Sequence, residues 1–105
     1  MAEIMAADTQ EGIALRSYYL QAIQQKGFLS AHAAVLSEIK KKLDLHPVYS
    51  KSPEKAACQA VRMHTRLIFI AAFARFPLPP VQEIDRLFIN VFGEFGRPAL
   101  TQRLH

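Results

Sequence analysis

The sequence predicts an all-α fold: an irregular four-helix bundle with a long central third helix, expected to dimerise. Three observations carry that prediction. Four segments combine apolar residues at helical spacing with the start and stop residues of helices. No stretch alternates apolar and polar residues for long, and no Asn-Gly or Asp-Gly pair marks a hairpin. The run Leu67–Phe76, LIFIAAFARF, is apolar at nine of its ten positions, and a helix that is apolar all round must be covered all round.

The first helix is expected over Thr9–Lys26. Asp8 or Thr9 can cap it, and Glu11, three residues after Asp8, completes a capping box. Ile13, Tyr19 or Leu20, and Ile23 give its apolar spacing, and Gly27 supplies the left-handed stop. The second is expected over Ala31–Leu43 with Ser30 as N-cap. Its apolar face is His32, Val35, Leu36, Ile39 and Leu43, and Lys40, Lys41 and Lys42 sit in the last turn, where cations suit the exposed carbonyls. His46-Pro47 then closes the segment, because a residue before proline avoids the helical conformation.

A loop over Asp44–Lys51 leads to the third helix, opened by Ser52, Pro53 and Glu54 as N-cap and first turn. It is expected to reach Phe76, about 36 Å at 1.5 Å per residue, long enough to cross the whole domain. Pro77-Leu78-Pro79-Pro80 stops it. In the fourth helix Val81, Ile84, Leu87, Phe88, Val91 and Phe92 form one apolar stripe, with Gln82, Glu83, Asp85 and Arg86 on the other side and Gly93 as the stop. Residues 1–105 make a single domain in which 1–8 and 97–105 are loosely packed ends, with Phe95 and Leu100 available to pin the tail.

The bulk composition bears on function. Apolar residues make up 50% and charged residues 21% of the chain, a surplus for so small a domain, which has the most surface to keep polar. The excess points to an apolar surface held for a partner, most simply a second copy of the chain. The one cysteine, Cys58, excludes an internal disulfide and suits a reducing compartment. The start lacks the basic and apolar regions of a signal peptide, and Leu67–Phe76 is half the length of a membrane span, so a cytoplasmic protein with no membrane role is expected.

Candidate chemistry is sparse. Gly12, Gly27, Gly93 and Gly96 are scattered and read as helix punctuation rather than a phosphate loop. The acids cap helices or lie on polar faces, and none forms an evident acid/base pair. His32, His46, His64 and His105 show no i, i+4 pairing with carboxylate support, and Cys58 and His64, six apart, face different sides of a helix. No catalytic, metal or cofactor residue is assigned. Tyr18, Tyr19 and Tyr49 read as partly exposed aromatics, and tyrosine is common in interface hot spots.

The third helix is where function is expected. Lys55, Gln59, Arg62 and Arg66 stand at i, i+4, i+7 and i+11 and form a basic face; Lys55, Arg62 and Arg66 are its candidate contacts. The second half is apolar throughout. The expected function is a small non-enzymatic interaction module, a homodimer that binds and blocks or sequesters another protein in the manner of an anti-activator. Its candidate interface residues are Leu67, Ile70, Phe73, Phe76, Phe88 and Phe92. The alternative is a small basic DNA-binding regulator using Lys40–Lys42, Arg62 and Arg66. The eight-residue loop Asp44–Lys51 is about twice the length a helix-turn-helix allows, which weighs against it.

Overall fold

A computed structural model describes residues 10–103. The elements are α1 (Gln10–Lys26), α2 (Phe28–Leu45), α3 (Pro53–Phe73), α4 (Val81–Phe92) and α5 (Gly96–Arg103), with 3-10 turns at Tyr49–Lys51 and Gly93–Phe95. Among the described residues no strand occurs, so the all-α expectation holds. The cap at Asp8 or Thr9 lies outside the described residues.

Gly27 does double duty between α1 and α2. Its N–H closes α1 on the Ile23 carbonyl at 3.0 Å, and its own carbonyl accepts from Ala31 N at 3.1 Å to open α2. With φ at +88° it adopts the left-handed region that glycine occupies without penalty. The expected start at Ala31 with Ser30 as N-cap is therefore corrected: α2 begins at Phe28, and Gly27 is its N-cap. The early start buries Phe28 and Ala31 beside His32 in one face that continues through Val35, Leu36, Ile39 and Leu43.

The start of α3 is as the sequence reads. Ser52 Oγ accepts from Lys55 N at 3.3 Å, and Pro53 fills the first helical position. The end is not. The helix stops at Phe73, three residues before Phe76, in a Schellman motif: Arg75 N–H bonds Ala72 O at 3.0 Å and Phe76 N–H bonds Ala71 O at 3.1 Å. Arg75 takes the left-handed position with φ of 66°, a place where glycine is usual. At 21 residues and about 32 Å, α3 still spans a molecule whose extents are 35 × 31 × 23 Å.

α3 touches each of the other four helices, and α2 lies between α1 and α4. One core joins them, with Tyr19, Leu36, Ile39, Leu43, Met63, Leu67, Ile84 and Phe88 fully buried. The tail is a correction: residues expected to lie loose from position 97 form α5, which packs on α3 and α4 through Ala99 and Leu100. Gly96 permits the close approach, since a Cβ there would stand 3.2 Å from the Ile89 Cα. Gly12, expected as punctuation, is instead buried inside α1. Among the described residues no helix is long and apolar enough to cross a membrane.

The left-handed arginine yields a prediction. Arg75→Gly relieves the strained backbone of an exposed residue and should stabilise the fold by about 0.5–1 kcal/mol, read as a higher urea midpoint with an unchanged slope.

Candidate functional site

Four helices each send one polar side chain into the core, and the four meet in a line. Tyr19 Oη lies 3.0 Å from His32 Nδ1, His32 Nε2 lies 2.8 Å from His64 Nδ1, and His64 Nε2 lies 2.8 Å from Asp85 Oδ1. These residues come from α1, α2, α3 and α4 respectively. Tyr19, His32 and His64 are fully buried, and only the Asp85 side chain, 21% exposed, meets the surface. Aromatic rings seal the line: Phe28 stacks on His32 with centroids 5.3 Å apart, and Phe88 lies 5.0 Å from His64.

The direction of the hydrogen bonds follows from the two ends of the line. Asp85 as a carboxylate can only accept, so His64 carries its proton on Nε2. The His64 Nδ1 is then an acceptor and takes the His32 Nε2 proton. His32 Nδ1 in turn accepts from the Tyr19 hydroxyl. Burial pushes the Tyr19 phenol well above its ordinary value, which keeps it the donor. Burial first, and then the neighbouring His64, lowers His32 from 6.5 to about 3, against a smaller opposing pull from Asp85. Two neutral imidazoles thus carry a polarised chain from a phenol to a carboxylate. The chain can fix the mutual orientation of four helices and relay protons toward Asp85. That residue borders a groove of about 600 Å³ between α4 and α5, lined also by Arg86, Asn90 and Arg97.

Sequence reasoning missed this network. The spacing puts His32 on the apolar face of α2 and, at one turn from Ala60, Val61, Leu67 and Ile68, His64 on that of α3, but it puts Asp85 on the polar side of the fourth helix and Tyr19 among the partly exposed aromatics. Both are corrected: the carboxylate that supports His64 comes from a different helix, and Tyr19 is sealed in the core. The separations of 13, 32 and 21 residues match no local spacing rule. The available signal was two histidines on apolar faces, which must find partners once buried.

The candidate interface residues divide. Leu67 and Phe88 are fully buried and belong to the core, not to a surface open to a partner. Ile70, Phe76 and Phe92 are half-buried and pack against that core. Phe73 is 86% exposed, and Phe69, one turn earlier and absent from the expected set, is 59% exposed. Leu78 in the connector and Val81 at the start of α4 are exposed beside them in the chain. The run Leu67–Phe76 is therefore covered on one side only.

Lys55, Arg62 and Arg66 are exposed, as expected of a basic face. Gln59 is not: α5 and the turn before it cover that side of α3. Along the solvent side of α3 the order is thus Lys55, Arg62, Arg66, Phe69, Phe73, cationic at the start and aromatic at the end. The Lys40–Lys42 cluster is partly answered locally, by Lys40 to Asp44 at 3.0 Å and Lys41 to Glu38 at 3.5 Å. Among the described residues no three His, Cys, Asp or Glu side chains are grouped to hold a metal ion. Compared with protein families, with characterised proteins and with solved structures, the chain matches none.

Two predictions follow from the buried chain. Between pH 6.5 and about 3 the unfolded protein holds a proton on His32 that the native state does not, so stability falls as pH is lowered through that window, by up to about 1.4 kcal/mol per pH unit. Melting temperature should drop from pH 7 to pH 4.5, and ring ¹⁵N shifts should show His32 still neutral in the folded protein at pH 5; a protonated ring there would contradict the assignment. Tyr19→Phe keeps the ring and orphans the His32 acceptor, at a cost of about 1–3 kcal/mol, seen as a thermal midpoint lowered by about 4 °C or more.

Proposed function

We propose that the protein is a non-enzymatic docking module that binds an acidic amphipathic helix of a partner protein along the solvent side of α3, and so blocks or sequesters that partner as an anti-activator does. One observation carries the reading. A single helix face presents Lys55, Arg62 and Arg66 followed by Phe69 and Phe73, with Phe73 86% exposed. An isolated exposed leucine is ordinary. Two phenylalanines one turn apart form an apolar patch whose exposure is unfavourable unless something docks on it, and Leu78 and Val81, next along the chain, are exposed as well. The cations on the same line select an acidic occupant and speed its arrival. Helix-in-groove recognition uses apolar anchors at this spacing.

The same face supports self-association in one orientation. Two copies paired antiparallel set Phe69 and Phe73 of one against Arg62 and Arg66 of the other, a cation–π arrangement; parallel pairing sets cations against cations.

The test uses a fluorescent model helix with a leucine face and a glutamate face, beside its lysine counterpart. The acidic helix should bind in the micromolar range or tighter, more weakly at high salt, and Phe73→Ser should weaken it by about tenfold or more while leaving the circular dichroism and melting temperature unchanged. Binding of neither helix, or equal binding of both, would refute the acidic partner. Light scattering at twice the 11.8 kDa chain mass, returning to the monomer in Phe73→Ser, would place a second copy on the face. Bulk DNA binding that falls steeply with salt would assign the cations to phosphates.

A further inference from the structure

A cleft of about 730 Å³ opens between the first half of α3 and the turn leading into α5. Its floor includes Gln59, which is 8% exposed. Among the described residues the Gln59 side-chain amide makes no hydrogen bond. Among the described residues no polar side-chain atom that is sealed from solvent is left unpartnered, so the Gln59 amide keeps some contact with solvent beside the cleft it lines. A buried amide without a protein partner is costly unless something else satisfies it. Here both a donor and an acceptor are held ready by a helix whose position is set on four sides.

The rest of the lining narrows what fits. Tyr49 and Phe95, from the turns on either side, give the cleft aromatic walls. Lys55 and Arg62 line it together with Glu54 and Glu94, so the charges sum to zero and do not select an ion. The volume lies within the range of small-molecule sites, which are mostly apolar with a few placed polar groups. We propose that this cleft binds a neutral, planar small molecule with a hydrogen-bond donor and acceptor side by side on one edge, a nucleobase or a primary aromatic amide. The Gln59 carboxamide pairs with that edge as glutamine pairs with adenine in nucleic-acid recognition, and Tyr49 and Phe95 cover the ring. Lys55 and Arg62 belong both to this cleft and to the cationic end of the docking face, so the readout is the Gln59 side chain with Tyr49 and Phe95, none of which the docking face uses.

The experiment is a ¹⁵N-HSQC titration of the full chain with adenosine, with nicotinamide and with benzoate. Adenosine or nicotinamide should shift the Gln59 side-chain NH₂ pair saturably, together with the amides of Tyr49 and Phe95, and which of the two binds tighter distinguishes nucleobase from aromatic amide. Benzoate, an anion without a donor, should bind at least tenfold more weakly. Gln59→Leu should lose binding by about tenfold with an unchanged or higher melting temperature, because it removes an amide that no protein group satisfies. No saturable shift with either neutral ligand would overturn the proposal, as would benzoate binding equally well. A Gln59→Leu variant that is markedly destabilised or does not fold would overturn it too, and the titration of the unmodified chain tests the proposal independently of that variant.

Discussion

The hydrogen-bonded line from Tyr19 through His32 and His64 to Asp85 constrains the whole bundle. Apolar packing alone tolerates sliding and rotation of helices by small amounts, since one leucine contact resembles another. Three hydrogen bonds of 2.8–3.0 Å do not. Each helix from α1 to α4 supplies one member, so a shift of any of them breaks a link and leaves a buried polar group without a partner. The cost of such a loss exceeds what the intact bond contributes. The network therefore specifies the arrangement more than it stabilises it, and the surrounding aromatic rings keep water from substituting for a lost link.

Around that line the chain distributes its apolar residues unevenly. The inner sides of α2 and α3 are buried to completion; the left-handed backbone of Gly27 lets α2 follow α1 without a loop, and Gly96 lets α5 close tightly on α4. The far end of α3 is left half covered. α4 returns along the side that holds Leu67 and Ala71, and α5 covers the side of Gln59. Among the described residues no element returns over Phe69 and Phe73, which stay exposed. Part of the compositional surplus of apolar residues is thus located: Phe69, Phe73, Leu78 and Val81 lie on α3 and its junction with α4, while Ile13, Tyr18, Leu29, Leu45 and Val48 are exposed on α1, α2 and the loop that follows.

Much of the fold was legible because helix punctuation is local. Ser52-Pro53-Glu54, Gly27 and Gly93 act within a few residues of themselves, and the stripes of α2 and α4 follow from spacing alone. What failed was also physical. Phe76 looked like the end of α3 because the residue identities continue; the Schellman stop depends on Arg75 accepting a left-handed backbone, which no arginine advertises. The segment after Gly93 looked loose because its helix is held by α3 and α4, not by its own weak pattern. Leu67 and Phe73 looked alike in a run that is apolar throughout, and only the position of the neighbours separates core from surface. The buried line was illegible for the same reason: its four members share no segment, and each reads singly as a core histidine, an edge tyrosine or a solvated aspartate.

The line also explains how the exposed phenylalanines stay outside. At about 100° per residue, Phe73 lies about 180° around α3 from His64, and Phe69 about 140°. Burying either ring by rotating α3 would carry His64 out of the core. Each phenylalanine buried would gain about 1.5–3 kcal/mol. The same rotation would strand His32 Nε2–H and remove the neutral donor facing Asp85, at about 1–3 kcal/mol for each orphaned group and more for the charged one. It would also expose Leu67 and Ala71, which share the face of His64. The two sides of that comparison are similar in the apolar terms, since rings enter as leucine and alanine leave. The polar line decides it. A bundle with an apolar surface on its longest helix needs a reason not to fold that surface inward, and in this chain a histidine on the opposite face, tied to three other helices, supplies it.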